Sequence, residues 1–170
     1  RYNQKVNDAS NNIGAVGVMF VDSQGTLWIG SNSALSKYDT DCDCIYPYSS
    51  IADSTQLTGV LSIAEDKNQY LWFGTQTGEL YRYNIENHNI VKFLNEPSDS
   101  IILNGNSITK LIVDQNNNLW IGANSSESKN SFGLIRFNID SGTIKQFINE
   151  PENRNSLLDN RITALYEDQH

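Results

Sequence analysis

Three stretches decide the fold of this chain: VDSQGTLWIG at 21–30, EDKNQYLWFG at 65–74 and VDQNNNLWIG at 113–122. Each is followed by an apolar-aromatic segment, ALSKYD (34–39), ELYRYN (79–84) and GLIRFN (133–138). Self-similarity at a regular interval is the mark of a repeat architecture, and it has to be recognised before anything else is assigned. RYN at 1–3 reads as the tail of an earlier copy, and ITALYED at 162–168 as the start of another.

The spacings within the repeats carry more than the motif does. From a first apolar residue to the Trp (Val16 to Trp28, Val60 to Trp72, Ile108 to Trp120) is 12 residues in every copy. From a first aromatic to a second (Tyr38 to Tyr48, Tyr83 to Phe93, Phe137 to Phe147) is 10 in every copy. The Trp-to-aromatic interval varies as 10, 11 and 17, and the return to the next copy as 12, 15 and 15, giving periods of 44, 48 and 54 residues.

Short runs of Ile, Val, Tyr, Phe and Trp between Gly, Asn and Asp clusters are strands joined by turns. Four markers per period predict four strands, A to D, near 16–21, 26–31, 34–38 and 44–48 in the first copy. In an antiparallel meander the A–B and C–D turns share one end of the sheet and the B–C and D–A connections share the other. All the length variation therefore falls at one end, and repeat proteins concentrate insertions on one face, often the binding face. A period of about 40–50 residues with four strands indicates β-propeller blades. Blades bury both sheet faces, which accounts for apolar runs such as VGVMFV at 16–21. The predicted fold is all-β, a partial propeller. Residues 1–14 would be the tail of a preceding blade and a linker, 15–58, 59–106 and 107–160 three blades, and 161–170 the first strand of the next. Propellers typically have about 4–8 blades, so open blade edges should self-associate or meet further blades of a longer parent chain.

Composition bounds the function classes. The 170 residues carry 20 Asp plus Glu against 12 Lys plus Arg, a net charge of −8, and 38% are hydrophobic. That balance argues against phosphate-backbone binding, so no nucleic-acid partner is expected. No apolar run approaches the roughly 18–20 residues of a membrane span, and no direct membrane contact is expected. Twenty-two Asn residues favour turns and polar loops.

At these motifs the chain resembles the two-component regulator propeller repeat family, whose repeats have the form D-x-x-G-x-L-W-I-G followed by G-L-x-R-Y-D. NEPENRNSLLDNRIT (149–163) and, more loosely, NEPSDSIILNGNSIT (95–109) are similar to its inter-blade segment. Departures are local: the turn Gly survives as Gly25 but becomes Gln69 and Asn117, and Ala34 replaces the Gly before strand C. The resemblance implies a periplasmic, extracytoplasmic sensor ahead of a membrane helix and a cytoplasmic histidine kinase or diguanylate cyclase. It also implies oligosaccharides as a ligand class. The output parts are not in this sequence, so no kinase activity is assigned to it.

Candidate chemistry is sparse. Trp28, Trp72 and Trp120 could be sugar platforms, but their equivalent places in strand B fit blade packing. Asp22, Asp66 and Asp114 open turns in which a carboxylate accepts backbone N–H groups, and one carboxylate per turn is too few for calcium. DTDCDC (39–44) begins like an EF-hand loop and then fails, with Cys44 at the glycine position and Ser50 in place of the bidentate Glu. It is expected to be a C–D turn. The C-x-C spacing disfavours a bridge, so Cys42 and Cys44 are expected to be ordinary hairpin residues; pairing in an oxidising periplasm or cross-linking between chains are the alternatives. No metal, cofactor or catalytic set is expected: His88 falls in a turn, and Glu65–Asp66 and Glu167–Asp168 recur on the invariant side. The variable face supplies the ligand candidates, Asn106, Asn124, Ser126, Lys129, Asn160 and Arg161, whose amides, hydroxyl and cations suit sugar hydroxyls or a carboxylate. A non-catalytic sensor propeller is the expected function. A lyase or glycoside hydrolase, or a scaffold that dimerises through blade edges, are the alternatives.

Overall fold

A computed structural model describes residues 14–48, 57–93, 106–125 and 132–168. The described residues hold twelve strands and no helix. Blade 1 comprises β1 (Val16–Val21), β2 (Leu27–Ser31), β3 (Leu35–Asp39) and β4 (Cys44–Pro47). Blade 2 comprises β5 (Val60–Glu65), β6 (Tyr70–Thr75), β7 (Leu80–Asn84) and β8 (Ile90–Phe93). Blade 3 comprises β9 (Ser107–Val113), β10 (Asn118–Asn124), β11 (Leu134–Asn138) and β12 (Ile144–Phe147). Each blade is one antiparallel sheet with its strands in chain order, so the expected meander is present three times. Segment 161–168 carries no strand assignment.

The first strands of successive blades pack on one another, β1 on β5 and β5 on β9. The glycine of each L-W-x-G motif makes this approach possible. A Cβ on Gly30 would lie 2.6 Å from Val18 Cγ1 and 2.8 Å from the carbonyl oxygen of Val60, the first residue of β5. A Cβ on Gly74 would run into Ile108 of β9, and one on Gly122 would lie 2.7 Å from Ile162 Cγ2. Ile162 thus stands to blade 3 as Ile108 stands to blade 2 and Val60 to blade 1.

Two apolar cores follow from this packing. Trp28, Leu35, Val60, Ile63, Phe73 and Tyr83 join blades 1 and 2, while Trp72, Leu80, Ile108, Ile121, Ile135 and Phe137 join blades 2 and 3. Trp28 lies 5.6 Å from Phe73 and 5.3 Å from Tyr83 of the next blade, and Trp72 lies 6.1 Å from Phe137 of the next. Trp28 and Trp72 thus fill the joints to the following blade.

The A–B turn holds each tryptophan in place. Asp22 Oδ1 accepts the N–H groups of Gln24 and Thr26 at 3.0 and 2.8 Å, and Oδ2 accepts the indole N–H of Trp28 at 2.8 Å. Asp66 does the same for Asn68, Tyr70 and Trp72, and Asp114 for Asn116, Asn118 and Trp120. Each indole N–H is satisfied within its own blade, so the ring can be buried in the joint. The turn also demands one left-handed residue: Gly25 at φ 83°, Gln69 at 61° and Asn117 at 57°. Asn tolerates that region, but Gln carries the full Cβ penalty.

The C–D hairpins are equally regular, with their left-handed positions at Asp43, His88 and Gly142. DTDCDC is therefore a turn, closed by Asp39 Oδ1 accepting the N–H of Asp41. Cys42 and Cys44 form a disulfide across it, which corrects the expectation of ordinary hairpin residues. The left-handed Asp43 folds the backbone so that the two Cα atoms lie 5.2 Å apart, inside the usual bridging range of about 4.4–6.8 Å.

Each first strand has a bulge near its start. Val16 pairs with Ser31 and Val18 with Gly30, which leaves Gly17 extra; Leu61 and Thr109 hold the same position in β5 and β9. Bulges re-aim a side chain and are over-represented beside functional sites.

Asp66→Ala removes acceptors from two backbone donors and a buried indole, and should lower stability by about 3 kcal/mol in urea unfolding. Gln69→Gly relieves the left-handed strain in the same turn and should raise stability by about 1 kcal/mol in the same assay.

Candidate functional site

The two ends of the sheets differ in chemistry. At the A–B turn end, a cavity of about 490 Å³ is lined by Ser23, Glu65, Asp66, Lys67, Asp114 and Glu167 among others. Its carboxylates are in structural use. Glu65 reaches back one blade to accept the N–H and hydroxyl of Ser23 at 2.7 and 2.5 Å. Glu167 accepts the N–H of Gln115 at 2.8 Å. Between blades 2 and 3 the corresponding residue is Val113, which has no acceptor, and Lys67 Nζ instead donates to the carbonyl of Gln115. The recurring acidic residues at the end of strand A therefore tie blades together. Among the described residues no group of three or more His, Cys, Asp or Glu is placed to hold a metal ion. His88 Nδ1 pairs with the Tyr83 hydroxyl at 2.8 Å, inside its hairpin.

The open face of blade 3 looks more like a sugar site. Trp120 stacks on Phe147 with ring centroids 5.8 Å apart, and both line a cavity of about 480 Å³ with Leu134, Glu150, Asn153 and Asn155. Equivalence within the chain gives it another meaning. Trp28, Leu35 and Tyr48 of blade 1 occupy the same register and are covered by blade 2, and Trp72, Leu80 and Phe93 are covered by blade 3. The Trp120 surface has the shape of a seat for a blade. A cation faces each tryptophan across strands B and C: Lys37 opposite Trp28, Arg82 opposite Trp72 and Arg136 opposite Trp120. Lys37 Nζ lies 4.2 Å from the Trp28 ring centroid. Burial pushes its pKa down, partly offset by Asp22.

The sequence-derived ligand residues fall in several places. Ser126 and Lys129 lie outside the described residues. Asn124 ends β10, half-buried, opposite Ser107. Asn160 Oδ1 accepts the N–H of Asn149 at 2.5 Å, and Asn149 Nδ2 donates to the carbonyls of Leu157 and Leu158. That amide pair braces the 149–160 loop. Asn106 stands in the same register before its strand and is 5% exposed. Arg161 is engaged by its neighbour Asp159 at 3.2 Å. Of the four that are described, Asn124 lines a cavity. That cavity, of about 300 Å³, lies at the B–C end and is lined by Asn32, Leu61, Gln76, Ser107, Thr109 and Asn124, with Ser125. Sequence reasoning missed Asn32 and Gln76, although both directly follow the L-W-x-G-[ST] run and share their register with Asn124.

Comparison with known proteins bears on this geometry. The family described as "Two component regulator propeller" matches residues 9–33, 56–77 and 102–125, one match for each A–B unit. Over those three segments the chain is similar to the two-component regulator propeller repeat. Histidine kinase P4 of Formosa agariphila is 27% identical to it over 130 residues, covering 74% of this chain and 9% of that protein. Among solved structures, the extracellular domain of a protein assigned to a one component system in B. thetaiotaomicron superposes with a TM-score of 0.70 at 23% identity, over 91% of this chain and 19% of that one. The extracellular domain assigned to a hybrid two component system of the same organism gives 0.55 at 18% identity, over 79% of this chain and 17% of that one. The chain spans less than a fifth of each of these proteins. At such identities the structural neighbours establish the propeller fold.

Asp114 also makes stability pH-dependent. Burial tends to raise the Asp114 pKa, but the N–H donors of Asn118, Trp120 and Asn116 outweigh it and hold the group below its ordinary 3.8. A depressed folded value stabilises above the unfolded pKa, and the contribution is lost as pH falls through the folded value. The unfolding midpoints of wild type and Asp114→Asn should therefore differ at neutral pH and converge as pH falls below the ordinary carboxylate range, as followed by tryptophan fluorescence.

Proposed function

We propose that this chain is part of the extracytoplasmic sensor propeller of a bacterial signalling receptor, a non-catalytic module that binds a small polar ligand at its B–C end. The observation that carries this reading is the threefold family match on a scaffold whose A–B and C–D hairpins have fixed lengths, while every change of length falls at the opposite end. The kinase relative and the extracellular neighbours support a receptor context and a position outside the inner membrane. The engagement of Glu65, Asp66, Asp114 and Glu167 in turns and blade joints supports a non-catalytic role.

A second reading, association through the blade faces, has its own observation. Val16, Met19 and Val21 on β1 are 48, 67 and 60% exposed, and Trp120 lies on the face at the other end of the row. Both surfaces fit a further blade of the same kind, from the parent chain or from a second copy.

A thermal-shift screen against neutral and acidic oligosaccharides separates the two, because a ligand that binds only the native state raises the melting temperature. A saturable upward shift with a saccharide is the expected result. No shift with any of them, together with a concentration-dependent dimer in sedimentation, would replace the ligand reading by the scaffold.

A further inference from the structure

We infer that the Cys42–Cys44 pair is a reversible thiol–disulfide exchange site, whose partner is a protein dithiol with a neutral or basic surface around it. The site lies at the C–D end of blade 1, opposite the B–C end, so it stands independently of any ligand bound there. Both cysteines are exposed. They flank the left-handed Asp43 in the hairpin between β3 and β4, and β4 is the edge strand of its sheet. Exchange needs access of a thiolate to one of the two sulfurs, and this position provides it.

The other two blades show what the bridge replaces. Cys42, Asp43 and Cys44 correspond to Asn87, His88 and Asn89 in blade 2 and to Ser141, Gly142 and Thr143 in blade 3, each trio centred on the left-handed residue. Asn87 Oδ1 accepts the N–H of Asn89 at 3.0 Å, and the Ser141 and Thr143 hydroxyls lie 2.8 Å apart. A hydrogen bond thus joins the positions that blade 1 joins covalently, and the hairpin forms either way. Blade 1 has non-covalent closures of its own. Asp39 Oδ1 accepts the N–H of Asp41 at 2.8 Å, the Tyr38 hydroxyl donates to Asp43 Oδ1 at 2.8 Å, and Asp39 pairs with Cys44 in the β3–β4 ladder. A bridge between residues two apart closes so short a loop that it restricts the unfolded chain least. The turn therefore does not need it, and the same contacts keep the two cysteines side by side once it opens.

Charge selects the reagent. Asp39, Asp41 and Asp43 alternate with Thr40, Cys42 and Cys44, and residues 38–48 contain no Lys or Arg. Lys37, just before them, has its ammonium 4.2 Å from the Trp28 ring centroid. Carboxylates beside the sulfurs repel a thiolate carried on an anionic molecule and favour one carried on a cation. A C-x-x-C dithiol with a neutral or basic rim has the matching chemistry. Its thiolate attacks Sγ of Cys42 or Cys44, a disulfide forms between the two proteins, and the other cysteine leaves as a thiolate and takes a proton. The partner's second thiol gives up its proton and attacks the partner's own sulfur in the mixed disulfide. The partner ends as the disulfide and the hairpin as two thiols, two electrons and two protons having passed to the hairpin. The reverse sequence closes it.

The test uses the purified, folded chain. Dithiothreitol, a neutral dithiol, should open the pair to two alkylatable thiols by mass spectrometry with unchanged circular dichroism, and the melting temperature should fall by no more than about 5 °C. Cys42→Ser/Cys44→Thr, which places the blade 3 pair in blade 1, should melt within the same interval of wild type. Removing the reductant in air should restore the bridge within single chains. At matched thiolate concentration and low salt, cysteamine should open the bridge at least about threefold faster than mercaptoethanesulfonate, and the preference should shrink at high salt and in Asp41→Asn. Resistance of the folded chain to every thiol, a larger fall in melting temperature on reduction or in the double variant, or reoxidation to cross-linked dimers overturns the exchange site. A smaller ratio between the two monothiols, or one indifferent to salt and to Asp41→Asn, overturns the charge preference that defines the partner.

Discussion

The structure depends on the absence of one side chain per blade. At Gly30 and Gly74 the backbone of strand B lies so close to the next first strand, and at Gly122 so close to Ile162, that a methyl group has no room. Close approach lets an aliphatic residue, Val60, Ile108 or Ile162, seat directly on the preceding sheet. The large rings of Trp28 and Trp72 then reach across to aromatics of the following blade. A propeller blade cannot bury both faces alone, so this joint is where the fold gains its apolar burial.

The aspartate–indole bond reconciles that burial with polarity. An indole is the largest apolar group available, but its N–H must be paired when water is removed. Asp22, Asp66 and Asp114 solve this from the turn, spending one oxygen on the hairpin backbone and the other on the ring. One residue thus closes the A–B hairpin and fixes the core side chain six positions on. The A–B end is consequently committed to structure, and variation is left to the opposite end.

Much of the fold was legible because repetition multiplies weak signals. A single L-W-I-G is ambiguous, but three copies with invariant intervals to Val16, Val60 and Ile108 fix the strand order and the variable end. The D-x-x-x-x-x-W interval was visible too, yet spacing does not say that the two side chains touch. The disulfide stood only as an alternative, because C-x-C spacing does not say whether the turn brings the two Cα atoms within bridging reach, as the hairpin at Asp43 does. Asn160 looked like a free amide, whereas it is held by Asn149 eleven residues earlier, a contact set by how the loop folds back. Asn32 and Gln76 were passed over because their place after the L-W-x-G-[ST] run does not say that the ends of three blades meet at one cavity.

The ties at the A–B end are not all of one kind. Where Glu65 and Glu167 reach a neighbouring turn, a carboxylate meets backbone N–H groups already fixed in place, a charge-assisted bond whose donor has nothing left to order. Where Val113 interrupts the series, the tie is Lys67, a long stem that surrenders rotamer freedom to reach a carbonyl. The row of blades therefore has a seam between the second and third. Repetition makes the joints alike in shape while one residue per joint sets how firmly each is fastened, so a ring built this way can be stiff at one boundary and compliant at the next.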